Sequence, residues 1–475
     1  MRKPPPRTNV PRSSQDPKGR RLRKPIPDRP YLERLMGPVQ FEIQASWPGN
    51  GCADQDAAHI AMKAGNCVLT RLVDDQGDGP SNVRDYVRAS AVALALWWAD
   101  NWWRLRYEPY PSGLVPSTDW RLRHELTSAS GGTLWPPLMV YGEGRRVVVA
   151  PRAGITDVPG PVRYLNAPVV SVDAAQYEAA IDAFFREVRE SCAEATDFVP
   201  LSTLVDELSR ERNDPESAAW RRMEAMLGFD PDDAPAQLVA RLGKYEHDLG
   251  EAAIEEAAVS APGPEAANCL EYVLEATAAS QIRIDRSRAR DVTVSARSAM
   301  LPPWQLAEEA AREFRHLLDK PQGIIDNGFL ADILHARWKD LSALPATASS
   351  LPYGAVDNTA NGLDRLALQS QAGRGPQRRF ELARALADAV WEKNAAFAPI
   401  SRAKTDRQKF QRAFAQSFLC PFDELIAFID TQTPTEKDIR AAARRFHVSD
   451  AVIQTVLVNK QILPRERLED KLEAA

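Results

Sequence analysis

From Asp173 onward, apolar residues recur at the spacing of an amphipathic helix, and this periodicity constrains the fold more than any other feature. Tyr177, Ile181, Phe184, Phe185 and Val188 form one stripe between Asp173 and Glu194, the pattern that buries a helix along one side. Asp173 with Gln176 resembles a capping box at its start. Further helices are predicted over 200–211, 215–227, 235–258 and 264–280. Asp214-Pro215 and Asp230-Pro231 mark helix starts, with the acid as cap and proline as the first helical residue. Leu238, Leu242, Tyr245 and Leu249 add another stripe, and Glu251, Glu255 and Glu256 are read as a solvated polar face.

Upstream the period changes. Phe41-Glu42-Ile43-Gln44-Ala45 alternates apolar and polar, as a half-buried strand does. Val68–Val73, Arg146–Ala150 and Val162–Val170 also read as strands, with Pro168 demoting the last to a sheet edge. Asn82 to Arg106 reads as one long helix. The expected class is α+β, predominantly α-helical. Its expected parts are a basic arm over 1–34, an aromatic-rich α+β domain over 35–170, a helical domain over 171–298 and a last domain over 299–475. A linker is expected at Ser260–Glu265.

The chain has 475 residues, 44% hydrophobic and 26% charged, enough apolar material for sizeable cores. Its net charge of −5 argues against a uniformly basic nucleic-acid wrapper. That total is an average. Residues 1–30 carry ten Lys/Arg, two acids and eight prolines, so an arm of +8 precedes a body of −13. Such a segment is expected to be extended and disordered. Arg20, Arg21, Arg23 and Lys24 are its candidate nucleic-acid contacts, able to hold phosphate but not to read bases. The longest apolar run, Ala89 to Ala99, is too short for a span of roughly 20 residues, and no secretory signal is seen. Cys52, Cys67, Cys192, Cys269 and Cys420 contain no Cys-x-x-Cys pair and are read as free thiols. The expected location is cytoplasmic.

Seven of the eleven tryptophans, Trp47, Trp97, Trp98, Trp102, Trp103, Trp120 and Trp135, lie before residue 170. Trp97, Trp98, Trp102 and Trp103 would place indoles on two helix faces. That makes them a candidate partner surface, set against an aromatic core whose N–H groups need acceptors such as Asp100, Asp119 or Glu125. His124-Glu125 begins like a zinc motif, but Ser128 holds the second ligand position.

Four landmarks near the C-terminus lie in a telling order: Asn327–Leu334, Arg365–Ser370, Arg379-Phe-Glu-Leu-Ala383 and Phe414-Ala-Gln-Ser-Phe-Leu-Cys-Pro421. Together they resemble the ImmA/IrrE family of zinc metallopeptidase-like proteins over about residues 300–465. The resemblance implies a zincin-like domain with a His-Glu-x-x-His helix, where two histidines one turn apart bind zinc and the glutamate is the general base. Here those positions hold Arg384, Ala385 and Asp388, and the third-ligand region around Gln408 to Gln411 offers no Glu. A guanidinium does not ligate zinc and an alanine moves no proton. The six histidines, His59, His124, His247, His316, His335 and His447, supply no substitute pair on one helix. No catalytic, metal or cofactor residue is therefore expected, and Arg384 and Asp388 are expected to form an ion pair in the old metal cavity.

The end of the chain outlines helix, turn, helix: Thr433 as cap with Pro434 and Glu436, apolar Ile439, Ala442, Ala443 and Phe446, a turn at His447–Ser449, then Asp450–Lys460. Arg440, Arg444 and Arg445 are candidate nucleic-acid contacts on the first helix, whereas the second lacks arginine. Packing on the peptidase-like domain, as the resemblance implies, is expected over DNA reading. The leading functional expectation is a non-catalytic regulatory or scaffold protein that binds a protein partner in a phage, mobile-element, defence or stress-response circuit. The alternatives are a DNA-binding protein using arm and helix pair, and a metallopeptidase with unconventional ligands.

Overall fold

The computed structural model describes residues 39–48, 58–74, 82–111, 116–129, 134–152, 162–165, 167–193, 198–261, 263–294, 301–343, 351–358, 363–368, 375–429 and 433–464. The basic arm, with Arg20, Arg21, Arg23 and Lys24, lies outside them. The fold is mixed α+β and predominantly helical, with small antiparallel sheets. No helix among the described residues is long and apolar enough to cross a membrane.

The first strands are β1 (Phe41–Ser46), β2 (Ala58–Ala64), β3 (Cys67–Val68), β4 (Leu72–Asp74), β5 (Asn82–Arg84) and β6 (Val87–Ala89). Strand β2 pairs antiparallel with β1 from Phe41↔Ala64 to Ser46↔His59, and with β3 and β6 along its other edge. Two expectations are corrected here. The run 68–73 breaks into two strands, and Asn82–Arg106 is no single helix. Its first part holds β5 and β6, followed by α1 (Ala91–Asp100) and α2 (Trp102–Tyr107). Asn101 makes the break between the helices by donating its side-chain amide to the Trp97 carbonyl at 2.8 Å.

The chain continues through α3 (Thr118–His124), β7 (Leu138–Glu143), β8 (Arg146–Pro151), β9 (Val162–Tyr164) and β10 (Val170–Asp173). Strands β10, β8 and β7 form one sheet, and β9 leaves the expected 162–170 strand to pair with β4. Gly142 lets β7 approach the end of α2, since a Cβ there would fall 2.4 Å from the Arg106 carbonyl oxygen. Next come α4 (Ala174–Ser191) and α5 (Phe198–Asn213). Asp173 caps α4 by accepting from Ala175 N at 3.0 Å and Gln176 N at 3.3 Å. The predicted stripe Tyr177, Ile181, Phe184, Phe185 and Val188 is buried.

The four clustered indoles are core, not surface: Trp97, Trp98, Trp102 and Trp103 are 8, 1, 1 and 5% exposed. Helices α4 and α5 pack on α1, and β7 and α6 pack on α2, covering the faces that an isolated helix would leave open. The rings meet edge to face, Trp97–Trp98 at 81° and Trp102–Trp103 at 86°. Trp98 Nε1 donates to the Tyr177 hydroxyl at 2.7 Å and Trp103 Nε1 to Glu211 at 2.9 Å. Neither acceptor was among those read from the sequence. Cys192 is also corrected: it is disulfide-bonded, whereas Cys67, Cys269 and Cys420 are free. Disulfides are rare in a reducing cytosol, so the thiols no longer argue for a cytoplasmic location.

Helices α6 (Pro215–Met226), α7 (Ala236–Leu249), α8 (Glu251–Ser260) and α9 (Glu265–Ala279) follow. Gly250, at φ +89°, divides the expected 235–258 helix into α7 and α8. Asp230 caps nothing; it accepts from Arg104 at 2.9 Å and from Arg123. The last part holds β11 (Arg283–Ile284), α10 (Ser287–Arg290), α11 (Pro303–Leu317), α12 (Asn327–Ile333), α13 (Trp338–Ser342), β12 (Gly354–Asp357), β13 (Asp364–Ala367), α14 (Pro376–Trp391), β14 (Phe397–Ile400), α15 (Asp406–Leu419), α16 (Phe422–Ile429), α17 (Glu436–Phe446) and α18 (Asp450–Asn459). Its antiparallel sheet runs β11-β13-β12-β14.

That sheet is covered on both faces. Ala355, Ala367 and Phe397 pack with α7–α9, while their neighbours Val356, Leu366 and Ala398 pack with α11, α14 and α15. The period of two divides the strands between two cores. The cores do not follow the expected domain bounds: α4 and α5 belong to the first core, and β11 to the last sheet.

Tyr177→Phe keeps the ring but leaves Trp98 Nε1 without its acceptor. The expected cost is about 1–3 kcal/mol, read as a lower midpoint in urea denaturation. The four buried indoles are expected to resist acrylamide quenching until that midpoint.

Candidate functional site

Helix α14 carries Arg384 and Asp388, one turn apart. The expected Arg384–Asp388 ion pair does not form, because α15 supplies each with better partners. Asp388, fully buried, accepts from Arg407 Nε at 2.7 Å and Nη2 at 2.9 Å, a bidentate pair, and from Gln411 Nε2 at 2.7 Å. Arg286 stands 3.8 Å away. Arg384 Nη2 donates to the Ser401 carbonyl and to the side-chain carbonyls of Gln408 and Gln411. The Gln411 amide thus stands between the two residues, its oxygen toward Arg384 and its nitrogen toward Asp388. Burial opposes the Arg407 charge, yet Asp388 holds this guanidinium above its ordinary value. Burial, with Arg412 beside it, pushes Arg384 down to about 9. Ala385 is buried in the apolar core.

The same side chains close the free edge of β14. Its other edge pairs with β12. Along the free edge, the Phe397 carbonyl accepts from Arg407 at 3.4 Å, Pro399 from Gln408 and Gln411 at 2.9 Å each, and Ser401 from Arg384. Ser401 N donates to Gln408 at 3.2 Å. With those groups satisfied and no N–H on Pro399, an added peptide strand finds no ladder there.

Zinc does not fit these residues. Arg384 is a cation, and both Asp388 oxygens are engaged. Among the described residues, no group of three or more His, Cys, Asp or Glu is placed to hold a metal. His124 is a core residue: it stacks on Trp120 at 3.9 Å, and its nitrogens meet the Val140 carbonyl at 2.7 Å and Glu108 at 2.8 Å.

Two residues at the site were misread in the sequence. Glu256 of α8 is 1% exposed rather than solvated, and Thr405 donates to it at 3.2 Å. Burial pushes its carboxyl above the ordinary value. Glu255 lines a cleft of about 660 Å³ between the β7–β8 hairpin, the α7–α8 junction, the start of α11 and residues 391–397 and 405–407. Burial, with Glu251 and Glu256 near it, pushes Glu255 up to about 8. The missed signal was Ala253, Ile254, Ala257 and Ala258, an apolar stripe that turns α8 inward and takes its acids along. Across the cleft, Arg146 pairs with Asp406 at 3.0 Å and Lys409 with Glu143.

At the C-terminus, Thr435 rather than Thr433 caps α17, in a capping box with Asp438. Arg440, Arg444 and Arg445 are exposed, and Arg445 lies over the Phe428 ring at 5.3 Å. Helix α18 is turned inward: Val452, Ile453, Gln454, Val456 and Leu457 are buried. Arg379 of α14 donates to the His447 carbonyl at 3.0 Å, and Lys460 pairs with Glu308 of α11 at 2.8 Å.

Asp388→Ala is expected to destabilise the protein by about 3–5 kcal/mol, because Arg407 is left buried and unpaired; denaturant titration reads this. Glu381 of α14 is 6% exposed, and burial pushes its carboxyl from 4.5 up to about 7. Its contribution to stability is full below pH 4.5 and is lost as pH rises through 7. Glu381→Gln is expected to flatten that decline, measured as unfolding free energy at the two pH values. No family model, curated protein or solved structure matches the chain.

Proposed function

We propose that this chain is a non-catalytic regulatory or scaffold protein, built on a lapsed ImmA/IrrE-like metallopeptidase domain, that acts by holding a partner protein. One observation carries the reading: the two former ligand positions are bound into an Arg384–Gln411–Asp388–Arg407 network with neither metal ligands nor a general base. The order of landmarks supports the ancestry, since they fall on α12, β13, α14 and α15, the last two packed side by side. With the β14 edge closed, the partner meets the cleft beside it, where Glu255 has no hydrogen bond or ion pair among the described residues. The setting is the regulatory one implied by the resemblance: a phage, mobile-element, defence or stress-response circuit.

Two measurements test this. Protein purified from zinc-supplemented culture is expected to hold far less than one equivalent of zinc and to leave casein uncut. Stoichiometric zinc with proteolysis sinks the reading. Crosslinking in the native host is expected to yield a stable protein complex that is lost on Glu255→Lys. Absence of any such complex would also count against it.

A further inference from the structure

The first half of α14 carries positive charge that its ion pairs do not compensate. Arg378 is 2% exposed, yet neither Nη1 nor Nη2 has a hydrogen-bond partner among the described residues. Arg384 Nε is unpartnered in the same way. Glu381 lies between them in sequence, three residues from each. Its carboxylate sits in the field of Arg378, Arg384 and Arg402, and its Oε2 has no partner either. Arg412 adds its charge to the field of Arg384, one nitrogen being engaged by the Ala403 carbonyl at 2.8 Å.

Both Asp388 oxygens are engaged by Arg407 and Gln411, so Asp388 reaches Arg384 only through its charge. Of the carboxylates that act on Arg378, Arg384 and Arg412, namely Glu381, Glu256, Asp388 and Glu143, burial pushes the first two toward their neutral forms. A guanidinium does not escape by losing its proton near neutral pH. Buried without an anion it is strongly disfavoured. A bound oxyanion removes the imbalance, since two Nη–H groups of one arginine pair bidentately with two oxygens. Two further features suit such a ligand. Gly375 caps α14 without a side chain, leaving the positive helix end uncompensated there, and Arg402 is exposed, giving the cluster a solvent side.

We propose that the first half of α14 is an oxyanion-binding site, in which Arg378 holds a phosphate or carboxylate group with Arg384 and Arg402 around it.

Thermal unfolding of the full chain tests this in sodium phosphate, sodium acetate and sodium chloride of matched ionic strength, with calorimetric titration of inorganic phosphate as the direct readout. The expected result is a higher melting temperature in phosphate or acetate than in chloride; which of the two acts separates a phosphoryl from a carboxylate ligand. Arg378→Met is expected to abolish that gain while raising the melting temperature in chloride, because it removes a buried unpaired charge. Arg402→Ala, at an exposed position, is expected to weaken phosphate affinity about tenfold with the fold intact. Equal melting temperatures in all three salts overturn the proposal. So does a gain that survives Arg378→Met, or an affinity unchanged by Arg402→Ala.

Discussion

The ion pair between Asp388 and Arg407 is the interaction on which the C-terminal half depends. It lies where α14, α15 and the edge strand β14 meet. A carboxylate with no exposed surface accepts two hydrogen bonds from Arg407 and one from Gln411. Arg407 and Gln411 in turn reach the Phe397 and Pro399 carbonyls. One acidic side chain thus aligns a helix pair and satisfies a strand edge together. A buried pair of this kind adds little net stability compared with apolar packing, but it is costly to break. It therefore specifies one arrangement of these elements.

That arrangement accounts for both what the site lacks and what surrounds it. A peptidase centre needs an open metal position and a strand edge that takes substrate. Here Arg384 and Asp388 are bound to partners on α15, and the β14 edge is closed by Arg384, Arg407, Gln408 and Gln411. The polar groups left over lie to either side. Glu255 and the cleft are on the side of α8, and the uncompensated arginines are toward the start of α14. Both features arise from charged residues drawn into the interior by helices whose apolar stripes dictate their orientation.

Much of the fold was legible from periodicity. The stripe on α4 and its Asp173 cap are local, and they survive packing unchanged. The long helix read over Asn82–Arg106 fails because the pattern of β5 and β6 is too short to compete with the strong helical signal of α1, and because Asn101 breaks the helix from its side chain. The tryptophans were ambiguous for a different reason. Four indoles on two faces of α1 and α2 look exposed until elements distant in sequence, α4 and α5 on α1 and β7 and α6 on α2, cover both faces. Their acceptors, Tyr177 and Glu211, are equally distant in sequence. At the site, the identities and close spacing of Arg384, Ala385 and Asp388 were plain. The closing of β14 was not, because it depends on where Arg407, Gln408 and Gln411 point.

The sequence by itself determined the predominantly helical α+β class, the absence of a zinc-binding histidine pair on one helix, and the charges that occupy its place. Those are properties of residue identity and short spacing. Only the tertiary structure decided that Arg384 and Asp388 turn to α15 instead of to each other, that Glu256 is buried, and that Arg378 Nη1 and Nη2 have no hydrogen-bond partner among the described residues. A side chain one turn away offers a partner in water, but burial selects whichever partner removes the most unsatisfied charge. That choice belongs to the packing of helices distant along the chain.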